Sequence, residues 1–167
     1  MKKKVIITIS WIAVIIWMVI IFMFSNQNSE TSLGGSRGII KDVVNATVDT
    51  SVDLGLIKDK PSDNEIFEVT KKLDFPFRKV VHISEYFILC LLVLNALYQS
   101  NIKNKKLFII GFIFCFIYAC SDEIHQSFLD RTAKFTDVLI DSCGILFGIA
   151  TYKIILYFYN KRKSIKA

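Results

Sequence analysis

The sequence predicts an all-α membrane protein, a polytopic bundle of four transmembrane helices with short amphipathic helices in a long first outer loop. Three observations carry this expectation. The 167-residue chain is 53% hydrophobic, with a mean hydropathy of +0.45, above the usual composition of a soluble domain. Four apolar runs approach the length of a bilayer crossing. Lysines and arginines gather at Lys2 to Lys4, Lys103 to Lys106 and Lys161 to Lys166, each beside an apolar run. Cations held on the cytoplasmic face of a membrane are placed this way. The formal charge of +6 therefore reads as topology and lipid contact, and no nucleic-acid partner is expected. The length suits a single domain, residues 1–167.

The first span covers about residues 5–24. Val5 to Phe24 is 20 residues without a formal charge, and at about 1.5 Å per residue it matches a hydrocarbon core of about 30 Å. A signal peptide would carry a shorter apolar region and a small-residue cleavage site. This run ends instead in Phe24-Ser25-Asn26-Gln27, so it reads as an uncleaved span.

Residues 25–79 form the outer loop, with eight basic and nine acidic side chains. Ile39, Ile40, Val43, Val44 and Val48 recur at helical spacing after a Gly34-Gly35 break. Ser62 and Glu65 form a capping box after Pro61 and open a second short helix bearing Ile66, Phe67, Val69 and Leu73. Two readings are open for this pair: helices lying on the outer membrane surface, or a small lid on the protein itself.

The remaining spans cover about residues 80–98, 107–126 and 138–159. Residues 99–106 carry three lysines and no acid. With all basic clusters on one side, both termini are cytoplasmic, and the first loop and the turn after span three face outward. Lys153 falls in the cytoplasmic half of span four, where it can snorkel. The cysteines Cys90, Cys115, Cys120 and Cys143 lie in apolar stretches without a C-x-x-C pair, as small packing residues do.

Span three carries an anomaly. Its unbroken apolar stretch, Leu107 to Cys120, has 14 residues, about 21 Å of helix. A full crossing requires the helix to continue to about Gln126, which takes Ser121, Asp122, Glu123, His125 and Gln126 to the outer edge of the hydrocarbon. His82 and Glu85 open span two, and Asp137 and Asp141 open span four, at the same depth. An ionised side chain facing lipid costs about 2.5–3.5 kcal/mol at the centre of the bilayer, so these groups are expected to face one another or a ligand.

Spacing gives them a shared face. Lys79, His82, Glu85 and Tyr86 form one stripe, and Asp122, His125 and Gln126 a second, with Tyr118 one turn before. Asp137, Asp141, Gly144 and Gly148 form a third, in which the Gly-x-x-x-Gly pair permits close helix approach. Taken singly, each has a plainer use: capping for the histidines, a surface ion pair for Glu85, solvation of a turn for Arg131 and Lys134. The coincidence of depth on three helices is what marks the group.

Three stretches resemble the VanZ family of small membrane proteins, named for a teicoplanin-resistance determinant. Phe24-Ser25-Asn26-Gln27 is similar to its Phe-Ser-x-Gln signature after the first span. Lys79-Val80-Val81-His82-Ile83-Ser84-Glu85-Tyr86 is similar to its Lys-x-x-His-x-x-Glu-Tyr opening of span two. Ser121-Asp122-Glu123-Ile124-His125-Gln126, then Arg131, Asp137, Asp141 and Gly144, resembles its longest and most specific block. The turn Phe128-Leu129-Asp130-Arg131 departs from the pattern in lacking the proline and glycine expected before the arginine. The resemblance implies a role in low-level glycopeptide resistance or in cell-envelope metabolism, without implying a particular reaction or cofactor.

Two functional readings follow. In one, the polar cluster is a recognition site for a glycopeptide antibiotic, a lipid head group or a lipid-linked envelope precursor. In the other, it is an enzyme site: His82 or His125 is the acid or base, tuned by Glu85, Asp122 or Glu123, with Ser121 beside them. Arg131 then holds an anion, with Lys79, Tyr86 and Gln126 binding substrate, and Asp137 and Asp141 take a divalent metal or orient a histidine. No G-x-S-x-G or H-E-x-x-H motif occurs in the chain. Four spans support a transport-like role only in an oligomer, and the sequence leaves the oligomeric state open. The orientation is directly testable in a variant with the native cysteines replaced. A cysteine at Asn45 should label with an impermeant thiol reagent in intact cells, and one at Asn104 only after permeabilisation; the opposite pattern excludes the N-in arrangement.

Overall fold

In the computed structural model, residues 2–26, 29–128 and 135–165 are described. They form five helices and, among the described residues, no strand: α1 (Lys2–Ser25), α2 (Ser29–Asp53), α3 (Asp63–Gln99), α4 (Asn104–Ser127) and α5 (Phe135–Ile165). Four of them, α1, α3, α4 and α5, are long and apolar enough to cross a membrane, and each contains one of the four expected spans.

The loop helices differ from expectation in length. Gly34 and Gly35 do not interrupt α2, which runs through them; a glycine inside a helix costs only about 1 kcal/mol, and neighbouring turns absorb it. The capping box does open α3. The Ser62 amide donates to Glu65 Oε2 at 2.8 Å, and the Glu65 amide donates to Ser62 Oγ at 3.4 Å. The helix it opens is not short, because α3 continues through Pro76 into the second span. Proline removes one backbone hydrogen bond at that turn, and the bonds on either side carry the helix across it.

The chain divides into two compact units, one of Met1–Asn26 with His82–Ala167 and one of Gln27–Val81. In the smaller unit, α2 and the first half of α3 bury Ser36 and Ile40 on one helix and Ile66, Thr70 and Asp74 on the other, each series at four-residue spacing. Gly55, at φ +69°, ends α2. Its left-handed conformation lets the Leu56 amide donate back to the Ser51 carbonyl at 2.9 Å, a helix stop that favours glycine. Lys60 Nζ then meets Asp49 Oδ1 at 2.7 Å. Ile39, Val43, Phe67, Val69 and Leu73 remain exposed on these two helices.

The larger unit is the membrane bundle. Val14, Ile21, Leu89, Val93, Leu94 and Ile145 are almost wholly buried in it, whereas Ile9, Ile12, Ile16, Ile113, Ile117, Leu146 and Ile155 are exposed. In a bilayer these outward apolar side chains meet acyl chains, so packing and hydrogen bonding, rather than hydrophobic burial, hold the helices together. Polar ties do this for α1. Trp17 Nε1 donates to the Glu85 carbonyl at 2.9 Å, Tyr118 Oη donates to the Met18 carbonyl at 2.6 Å, and Trp11 Nε1 donates to Ser100 Oγ at 3.1 Å. Lys153 Nζ lies 5.0 Å from the centre of the Phe108 ring. All four cysteines are free thiols, with Cys90 and Cys115 fully buried.

Glycines set the approach of α5 to α3. A Cβ on Gly144 would collide with the Ile83 carbonyl oxygen and stand 3.1 Å from the Phe87 nitrogen. One on Gly148 would stand 2.8 Å from Cys90 Cβ and 3.1 Å from the Phe87 carbonyl. Here the obstacle is main chain, which cannot rotate aside. At Gly111 it is the Leu94 side chain, 2.6 Å away at Cδ2, which can change rotamer. Overpacking costs about 1–3 kcal/mol where the structure cannot relax. Gly144→Ala should therefore lower the unfolding temperature of the detergent-solubilised protein by several degrees, and Gly111→Ala much less. Equal shifts would show that the α3–α5 contact is looser than described.

Candidate functional site

The polar residues at one end of the bundle come from three helices. Each arrives because its helix must carry polar groups to complete a crossing, and because the glycine contact seats α5 directly against α3. His82 on α3 and Asp141 on α5 meet across that contact, with Nδ1 and Oδ1 3.5 Å apart. Glu85, one turn along α3, brings Oε2 to 4.0 Å from the same nitrogen. One imidazole therefore faces two carboxylates. Asp141 is 2% exposed, so its charge depends on this neighbourhood for compensation.

Tyr86, on the next step of α3, is fully buried, and its ring centre lies 6.3 Å from that of Tyr118 on α4. From α4, Asp122, Glu123 and Gln126 are all buried. Gln126 Nε2 donates to Asp122 Oδ2 at 3.0 Å, which fixes that carboxylate one turn above. Asp122 lies near enough to His82, Tyr86 and Asp141 to act on each electrostatically. The structure thus brings His82, Glu85, Tyr86, Asp122, Gln126 and Asp141 into one neighbourhood.

This cluster is not internally satisfied. His82 Nδ1, Tyr86 Oη and Asp141 Oδ1 are buried, and none makes a hydrogen bond among the described residues. The His82–Asp141 approach is an electrostatic contact, not an aligned bond. Leaving a buried polar atom unpaired costs about 1–3 kcal/mol, and more for a charged group. Three such atoms on facing turns of α3 and α5 make a strongly polar lining that water or a ligand group would satisfy.

Other candidates fall elsewhere. The His125 ring lies 4.7 Å from that of Phe22 on α1, and its Nδ1 is buried without a hydrogen bond among the described residues. Ser121 is exposed and donates to the Tyr118 carbonyl of its own helix at 2.7 Å. Asp137, half-buried one turn before Asp141, accepts from Thr136 Oγ1 at 3.4 Å. Lys79 belongs to the smaller unit, with Nζ 5.3 Å from the Phe75 ring centre. Arg131 and Lys134 lie outside the described residues. Among the described residues, no three His, Cys, Asp or Glu side chains are placed to hold a metal ion, so the Asp137–Asp141 metal reading finds no third ligand there.

One contact at the cluster has no signal in the sequence. Trp17 hydrogen-bonds to the main chain of Glu85, which no side-chain periodicity reveals.

The chain matches the family model described as VanZ/LLP1 over residues 10–156. None of the curated proteins and none of the solved structures matches it. That match includes part or all of each of the four apolar helices and every residue of the cluster, and the chain belongs to the VanZ/LLP1 family.

Proposed function

We propose that the cluster centred on His82, Tyr86 and Asp141 is a recognition site at the outer leaflet of the plasma membrane. Its ligand is the polar part of a glycopeptide antibiotic, a lipid head group or a lipid-linked envelope precursor. Membership of the VanZ family carries an association with teicoplanin resistance at the level of the family. The observation that supports a binding site in this chain is the set of unpaired atoms, His82 Nδ1, Tyr86 Oη and Asp141 Oδ1. Together they offer a neutral donor, a carboxylate acceptor and an imidazole able to serve as either, which suits a ligand rich in hydroxyl and amide groups. The outward orientation follows from the basic clusters at the opposite helix ends.

A second reading is favoured by one contact. His82 Nδ1 at 3.5 Å from Asp141 is close to the arrangement in which a carboxylate orients an imidazole for acid–base work. In that reading His82 moves a proton on a lipid-linked substrate, Asp141 holds its tautomer, Glu85 and Asp122 set the local field, and Arg131 holds an anionic group.

Single substitutions separate the two in cells lacking the native copy, at matched protein levels, with teicoplanin susceptibility and envelope lipid and muropeptide profiles as readouts. For a recognition site, His82→Ala and Asp122→Ala should each weaken the phenotype in part. Loss of one hydrogen bond involving a charged group is about 1.5–3 kcal/mol, roughly ten- to a hundredfold in affinity. For an enzyme, His82→Ala should abolish the phenotype outright. If neither substitution alters susceptibility or envelope composition, the cluster is not the functional site.

A further inference from the structure

A second polar cluster lies within the unit Gln27–Val81, and the function proposed above makes no use of it. Asp74 on α3 is 3% exposed. It accepts a hydrogen bond from Ser36 Oγ on α2. Arg78, one turn further along α3, brings Nη2 to 3.3 Å from Asp74 Oδ2, and Arg37 on α2 brings Nε to 4.0 Å from the same oxygen. We propose that Arg37 and Arg78 form a clamp for the phosphate group of an anionic amphiphile, with Asp74 and Ser36 holding the two guanidinium groups in place.

Charge and donor inventory carry the argument. Among the described residues, two guanidinium groups face one carboxylate, which leaves the cluster a positive charge. Arg78 alone would neutralise Asp74, and Arg37 is surplus to that task. The Nε atoms of both arginines are buried without a hydrogen-bond partner among the described residues, although each guanidinium has five donors to place. Both side chains remain about a third open, at 38% and 31% exposure, so a ligand can reach them. Paired guanidinium forks match the oxygens of a phosphate. Two like charges would separate without an anion between them; Asp74 supplies one from within and leaves the outward donors free.

The surroundings favour a phosphate attached to acyl chains. Ile39 lies two positions after Arg37, and Phe75 and Val80 flank Arg78; all three are more than half exposed. Arg78 also stands just before the second span begins at about residue 80, at the level where head-group phosphates lie.

The test uses full-length protein in detergent, with native mass spectrometry reading its affinity for dihexanoylphosphatidylglycerol. Arg37→Gln and Arg78→Lys should each weaken binding by about tenfold, as expected for one charge-assisted hydrogen bond. Lys60→Gln, an exposed cation of the same unit, should leave it unchanged. Arg78→Lys keeps a cation beside Asp74, so the variant should fold, which a wild-type-like unfolding temperature would show. Inorganic phosphate that competes with the lipid would mark the clamp as a reader of phosphate on any carrier. Arginine-dependent lipid binding without such competition would assign it to a lipid head group. The proposal is overturned if the folded arginine variants bind the lipid like wild type, or if Lys60→Gln weakens binding as much as they do.

Discussion

The apolar run from Leu107 to Cys120 is fourteen residues long, and a helix needs about twenty to cross the hydrocarbon. The last turns of α4 must therefore carry polar side chains at the edge of the hydrocarbon, where facing lipid is costly. Asp122, Glu123 and Gln126 answer this by facing inward. Once they do, the neighbouring helices must offer something other than aliphatic surface at the same level. His82, Glu85 and Tyr86 from α3 and Asp141 from α5 supply it. The polar cluster is thus a consequence of the short apolar run in one helix, propagated to two others.

Main-chain proximity makes that arrangement possible. With glycine at positions 144 and 148, α5 lies against the backbone of α3 around Ile83 and Phe87, and Asp141, one turn earlier, arrives beside His82. Bulkier residues at the two positions would separate the helices and withdraw the aspartate from the imidazole. Packing and cluster geometry share one contact, so the glycines govern the approach of Asp141 to His82.

Much of this was legible in the sequence, for identifiable reasons. Span positions follow from hydrophobic length, and the polar stripes from helical periodicity, so His82, Glu85, Asp122 and Asp141 were found by depth and spacing. The Ser62–Glu65 capping box was legible because its chemistry is local. Helix continuity was not. Gly34-Gly35 and Pro76 are breakers by propensity, and neighbouring turns outweighed them in α2 and α3. The partners of single residues were not legible either. Nothing in the spacing of α4 says that His125 meets Phe22 while Asp122 lies near His82, because both are compatible with an inward face. The Arg37–Asp74–Arg78 grouping joins residues about forty positions apart, and no period connects them.

The bond from Trp17 to Glu85 ends on a carbonyl oxygen, and that has a genetic consequence. Every amino acid at position 85 provides the same acceptor, so α1 keeps this attachment whatever side chain stands there. The same holds at position 18, where Tyr118 donates to main chain. Selection can therefore act on the Glu85 carboxylate without disturbing that anchor. A substitution at position 85 therefore alters the group that faces His82 while the attachment of α1 to α3 stays in place.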